Sequence, residues 1–370
     1  MDPTQSHSPA RKHGPSGKGR TATCLLWLCL HAVACAPEGP IHPPATLAQT
    51  GLYADAASRR LADGVMPFEP QYPLWTDGAR KRRWIALPEG TAVDASDVDA
   101  WQFPTGTRLW KEFTFDDGVE TRFMQRRADG TWLYATYVRK NGEPADVLAP
   151  AGGVPGFVAT QNGKHHDVPS LADCRLCHEG GRTAVLGFSA LQLSSDRDPL
   201  APHGAPATAD ALDLESLVAR SLLRHLPEQF LAVPPRVHAR TATERAALGY
   251  LHGNCGNCHN ASGPLLRLGL RLDHPLRAAT PPAIETTFGV GSAFQHRAAR
   301  ARIDAGSAAT SLLWLRVAAD DPITQMPPFG RHLVDDQARD LIARWIDEQR
   351  PGDTTASSLP HQPSPKKKGS

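Results

Sequence analysis

Two copies of one pentapeptide constrain this chain more than any other feature: Cys174-Arg175-Leu176-Cys177-His178 and Cys255-Gly256-Asn257-Cys258-His259. Two thiols on one turn followed at once by an imidazole form the arrangement that holds c-type haem. The thiols make thioethers to the two vinyl groups and the imidazole turns toward the iron. With only seven Cys and sixteen His in 370 residues, chance does not readily put His behind two such pairs. A zinc site built from two Cys-x-x-Cys pairs is the competing reading, and it leaves both histidines unexplained. The sequence therefore predicts two covalently bound haem c groups. Cys174, Cys177, Cys255 and Cys258 are the expected attachment points, and His178 and His259 the proximal iron ligands.

The N-terminus reads as an export signal. Arg11, Lys12, Lys18 and Arg20 precede an apolar run from Cys24 to Leu30, and Ala32-Val33-Ala34-Cys35 follows after His31. A basic region, a short apolar region and small residues before a cut mark a secretory signal, too short for a spanning helix. Residues 1–35 are the expected signal peptide. It ends either at an Ala-x-Ala cut or at a lipobox whose Cys35 receives the lipid. Either route places the chain in the periplasm or anchors it on the extracytoplasmic side of a membrane, as a bacterial lipoprotein in the second case.

That segment holds four of the 40 basic and one of the 38 acidic residues, so the remainder is nearly balanced in charge. Balance of this kind leaves no electrostatic footprint for nucleic acid. The expected partners are other exported or membrane redox proteins and the haem-maturation machinery. Beyond Cys35 the only thiols are the four of the two motifs, which leaves none for disulfides. A chain of this length can build its core without them.

The texture changes along the chain. Residues 36–52, rich in Pro and Ala, read as a linker. Residues 53–150 read as an antiparallel β-domain: Thr107 to Phe115, Val119 to Arg127 and Thr131 to Arg139 are three runs separated by Asp116-Asp117-Gly118 and Ala128-Asp129-Gly130, the links of a meander. In the second run Val119, Thr121, Phe123 and Gln125 share one face, and Glu120, Arg122, Met124 and Arg126 the other. That pattern suits a sheet packed on one side and wet on the other, or half of a sandwich.

Residues 151–240 form the first haem region, loop-rich with one helix from Leu212 to Leu226. Residues 241–351 form a helical second unit, opened by the capping-box pattern Thr241-Ala242-Thr243-Glu244 and closed by a helix starting at Asp335-Asp336 with Ala338, Leu341, Ile342, Trp345 and Ile346 on one face. A disordered tail, 352–370, completes an α+β multidomain chain: a mostly antiparallel β-domain followed by loop-rich and α-helical c-type haem domains.

Gln325-Met326-Pro327-Pro328 supplies a sixth ligand for the second haem. A thioether on a Pro-stiffened loop loses little entropy when ordered against iron, and raises the potential relative to two imidazoles. No such loop serves the first haem. Its distal candidates are His165, His166 and His252, with His203, His225 and His238 further off, and the sequence does not choose among them. His252, three residues before Cys255, also suits a helix surface or a bond to a haem propionate.

Residues 241–350 resemble a class I cytochrome c domain in the order helix, haem motif, Met-Pro-Pro loop, terminal helix. Together with Tyr72-Pro73-Leu74-Trp75-Thr76-Asp77-Gly78, Phe103-Pro104-x-Gly106-Thr107 and Tyr250-Leu251-His252-x-Asn254-Cys255, the chain resembles, over about residues 50–350, a family of bacterial dihaem c-type cytochromes of unknown physiological role. The resemblance implies export, two covalent haems and electron transfer, and supplies no substrate.

The expected function is single-electron transfer between redox partners, a carrier rather than a catalytic enzyme. One alternative is a peroxidase-like dihaem oxidoreductase with an open site at the first haem, since a five-coordinate iron binds small oxidants. Another is a ligand-binding β-domain using Trp84, Trp101, Trp110 and Trp132, although aromatics in alternating strands are more often core. No catalytic residue is assigned: Asp116-Asp117 fits a turn and Asp335-Asp336 a helix start.

Overall fold

The computed structural model describes residues 42–205 and 208–350; the signal segment with Cys35 and the tail 352–370 lie outside the described residues. The alternating runs form a six-stranded antiparallel sheet whose spatial order follows the chain. Its strands are β1 (Met66–Pro67), β2 (Arg80–Ala86), β3 (Arg108–Thr114), β4 (Gly118–Arg126), β5 (Trp132–Lys140) and β6 (Val147–Leu148). Both short links make the expected hairpins: the first closes with the Phe115 N–H on the Gly118 carbonyl (2.9 Å), the second with Gly130 at φ +83°, a left-handed conformation that a Cβ would oppose.

One face of the sheet carries Trp84, Ala86, Trp110, Phe123, Ala135 and Tyr137, covered by Leu47 and Leu52. The Trp110 indole donates to Thr50 Oγ1 (2.9 Å). The segment read as a linker up to residue 52 thus ends as a lid on the sheet, because its few apolar side chains meet an aromatic surface. The polar face does not lie open to water. Ile85, Leu109, Met124 and Tyr134 on it belong to the main core, shared with residues as far along the chain as Ile346, and Glu120 is fully buried.

The boundary at residue 150 does not mark a break. A hairpin of β7 (Val154–Ala159) and β8 (His165–Val168) packs Phe157 and Val158 on Phe113 and Phe115 of the sheet. The helix expected over 212–226 is only Leu214–Ala219. Ser221 turns left-handed (φ +56°) and Leu223–Arg224 pairs in parallel with Val93–Asp94, so tertiary pairing overrides the helical period.

Helix α1 (Leu171–His178) starts at a capping box in which Ser170 and Asp173 bond each other's backbone. Helix α2 (Ala242–Asn254) starts at Thr241, which accepts from the Glu244 N–H (3.1 Å). Only that half of its expected box forms. The Glu244 carboxylate turns instead to the Arg240 N–H and to the Trp345 indole (3.0 and 3.2 Å). After α3 (Leu312–Ala318), α4 (Asp336–Asp347) starts at Asp335, which accepts from the Ala338 N–H, and it buries all five side chains of its apolar face. Leu341, Ile342 and Ile346 each contribute ~1.5–3 kcal/mol by burial. Helices α2 and α4 pack on each other, with the Trp345 indole donating to the Glu244 carboxylate (3.2 Å). Among the described residues no helix is long and apolar enough to cross a membrane.

Candidate functional site

Helical spacing places Cys174, Cys177 and His178 on one side of α1, and the second motif leaves the end of α2 in a turn where the Cys258 and His259 N–H groups both return to the Cys255 carbonyl. All six residues line a single cavity of about 900 Å³, toward the upper end for small-molecule sites. Met326 and its two prolines line the same cavity. So do Leu176 and Leu268, large apolar side chains left about half exposed by the polypeptide.

The motifs touch. The Asn260 side chain donates to the Gly180 carbonyl (3.0 Å), and the Cys177 and Cys258 thiols are neighbours. Gly263 permits this approach, since a Cβ there would overlap the Gly180 carbonyl oxygen.

Three of the segments picked out in the sequence meet around α2. The Trp75 N–H donates to Asn254 Oδ1 (2.8 Å) and Asn254 returns a bond to the Pro73 carbonyl (3.3 Å). Gly249 and Gly253 leave room for Tyr72, whose ring and carbonyl would overlap a Cβ at either position. Asp77 accepts from the His332 and Leu333 N–H groups (2.6 and 3.0 Å), just past the Met326 loop. The 72–78 loop therefore clamps the helix that enters the second motif to the segment that follows Met326. The Phe103 segment serves a different end: Thr107 N–H closes a turn on the Pro104 carbonyl, with Gly106 left-handed at φ +88°, and leads into β3.

The histidines divide by what their nitrogens already hold. His178 Nδ1–H donates to the Ala184 carbonyl (2.6 Å), which leaves Nε2 as the free lone pair. Burial pushes its pKa down to about 4, so the ring is neutral, as a metal ligand must be. His259 is also held low by burial, with Arg316 and Arg302 adding to the effect, and its Nδ1 is buried without a hydrogen-bond partner among the described residues.

His166 is removed as an iron ligand. Its ring lies between Asp77 Oδ2 (2.9 Å) and Glu120 Oε2 (2.8 Å), stacked on Phe115, so both nitrogens are taken. His165 is exposed on β8 and does not line the cavity. His252 does line it, but its Nδ1 accepts the His274 N–H (3.1 Å). With burial holding the ring neutral, at a pKa of about 4, the proton sits on Nε2. That tautomer is a hydrogen-bond donor to the cavity and not a lone pair for iron. His203 and His225 are paired with Asp335 and Asp94, and neither they nor His238 line the cavity.

Sequence reading missed much of the cavity wall. Met124, Tyr134, Arg83, Lys111 and Arg122 reach it from the sheet, and His274 from the loop after the second motif. The Tyr134 ring lies 5.4 Å from that of His178. Alternation along β4 did separate Arg122 and Met124 from Phe123; what it lacked was the side on which the core lies. Trp84, Trp101 and Trp110 are core, while Trp132 is partly buried against Phe103.

The donor set fits covalent haem: four thiols in two attachment spacings, two neutral imidazoles and a thioether around one largely apolar cavity. Among the described residues no three His, Cys, Asp or Glu side chains converge as a metal-holding group. No protein-family model, no curated protein and no solved structure matches this chain.

Proposed function

We propose that the chain is an exported dihaem c-type cytochrome that passes single electrons between redox partners. The observation that supports it best is that both attachment motifs open on one cavity and abut through Gly180, Asn260 and the Cys177–Cys258 contact. Cys174 and Cys177 would hold one haem with His178 on its iron; Cys255 and Cys258 would hold the other, with His259 and Met326. Bound haem supplies reversible one-electron exchange at iron.

The polypeptide's part is to orient and to exclude water. The Ala184 carbonyl fixes the His178 tautomer and ring direction. Arg331 steadies the Met326 loop, its Nε donating to the Met326 carbonyl (3.2 Å) and its Nη2 to the Ala319 carbonyl (2.8 Å). His252 offers Nε2–H as a donor within the cavity.

The experiment is expression with haem-maturation machinery, followed by pyridine haemochrome stoichiometry and the spin state of each iron. Two haems per chain, both low-spin, are the expected result; a colourless or zinc-loaded product overturns the reading. One observation favours an oxidoreductase as the second reading: none of His165, His166 and His252 presents a free nitrogen to the cavity, which leaves the first iron without a histidine from that set. Rapid binding of carbon monoxide or cyanide by one haem at neutral pH would decide for it.

A further inference from the structure

The wall of the cavity nearest the first motif carries a charge pattern that sheets ordinarily avoid. In the register of β2, β3 and β4, Arg83 stands opposite Lys111 and Lys111 opposite Arg122, three cations in one transverse row. Like charges directly opposite each other destabilise an antiparallel pair. This row alternates onto the inner face with Leu109 and Met124, and all three residues line the cavity.

The available carboxylates do not answer the row. Glu69 holds Arg83 (2.9 Å) and Glu120 holds Arg122 (2.5 Å) while also taking His166. Arg83 is 95% buried yet keeps Nη2 without a hydrogen-bond partner. Lys111, in the middle, has no side-chain hydrogen bond or ion pair among the described residues; its ammonium rests over the Phe113 ring at 4.8 Å. Neighbouring Lys81 does not share the deficit, because its Nζ donates to the Leu74 carbonyl (2.8 Å).

The row is also near the first motif. Tyr134, in the next row of the same face, lies ring to ring 5.4 Å from His178, and both rows line the cavity into which Cys174 and Cys177 open. Arg83 Nη2, buried without a partner, is costly enough that its partner is to be sought outside the polypeptide, with Lys111 beside it.

We propose that Arg83, Lys111 and Arg122 form a carboxylate-binding row beside the first haem, filled either by the propionate arms of that haem or by a free carboxylate that reaches it. The proposal rests on the haem reading. A planar guanidinium with a free N–H beside an ammonium suits the two oxygens of one carboxylate, and three cations in register suit two carboxylates side by side.

The test uses the matured protein, Lys111→Gln and Lys111→Arg, with each haem's midpoint potential measured optically, with and without formate. If propionates fill the row, Lys111→Gln lowers one potential and leaves the other, Lys111→Arg restores it, and formate changes nothing. If a free carboxylate fills it, formate saturably lowers one wild-type potential, and Lys111→Gln weakens that response at least tenfold. Lys111→Met is read in the same way should the Gln variant not mature. Two haems with unmoved potentials and no formate response in any variant overturn the row while leaving the haem reading intact. Absence of haem from the wild type overturns the haem reading, and calorimetric formate binding by wild type against Lys111→Gln then decides the row alone, no binding overturning it.

Discussion

The two Cys-x-x-Cys-His motifs share a pentapeptide pattern and almost nothing else. The first is a helix of its own, α1, laid against the inner face of the sheet, with its histidine directed by the Ala184 carbonyl and three cations nearby. The second is the tail of a buried helix, α2, with its histidine lacking a partner at Nδ1 and the Met326 loop on the cavity wall. A motif states where a haem could be tied on; what such a haem would do is set by the neighbours each copy inherits.

The largest expected effect of breaking this comparison is on haem content. Cys174→Ala with Cys177→Ala, and separately Cys255→Ala with Cys258→Ala, should each halve the haemochrome yield from two per chain to one. Loss of both haems from either double variant would show that the copies are not independent sites. Met326→Ala should keep both haems, remove the weak sulfur-to-iron absorption at the red edge and lower one potential only. An unchanged spectrum would leave Met326 as packing.

Next come variants that read the scaffolds without touching a motif. His166→Ala leaves Asp77 and Glu120 buried without their shared partner, and should cost about 3–5 kcal/mol in denaturant unfolding. A cost below about 1 kcal/mol, the range of exposed pairs, would mean that water replaces the ring. On the α2 side, Gly249→Ala should cost about 1–3 kcal/mol by forcing the Tyr72 ring away. Gly291→Ala, where an added Cβ meets nothing within 4 Å, should stay within about 0.5 kcal/mol.

The smallest effect is on pH dependence. Burial opposes the His166 charge, but Asp77 and Glu120 outweigh it and raise its pKa above the ordinary 6.5. That contribution is complete below pH 6.5 and is lost as pH rises through the raised value. Burial opposes the charge of Asp77 and Glu120 too. His166 and two backbone N–H groups nevertheless lower Asp77, and Arg122 and His166 lower Glu120 to about 2. Their contributions are present above the ordinary 3.8 and 4.5 and are lost as pH falls through the lowered values. The trio should therefore stabilise most between about pH 4.5 and 6.5, and His166→Ala should flatten the fall above that window, measured as denaturant midpoint against pH. A wild-type curve already flat from pH 6 to 8 would contradict the assignment.

How far the molecule was legible in its sequence varied with the range of the interaction concerned. The three central strands were readable within a residue or two, because alternation and Asp-Gly links act over a few neighbours. The Asp335 helix start was readable for the same reason, whereas the sharing of one cavity by the six motif residues was not. The helix expected to run to Leu226 was not, since its end depends on pairing with Val93–Asp94 more than a hundred residues earlier. Neither was the fate of His166, whose partners Asp77 and Glu120 lie 89 and 46 residues away.

By itself the sequence determined where two haems could be tied, the three central strands and the helices starting at Thr241 and Asp335, and that one methionine stands on a stiff loop. Each of these rests on covalent order or on the period of a single element. Only the tertiary structure decided that the polar side of the sheet faces inward, that two motifs 81 residues apart open on one cavity, and that Arg83, Lys111 and Arg122 stand in a row. The physical reason is that a strand's alternation names two faces without saying which one the rest of the chain will cover. That choice belongs to the shared core, in which side chains from Met66 to Ile346 compete to leave water together.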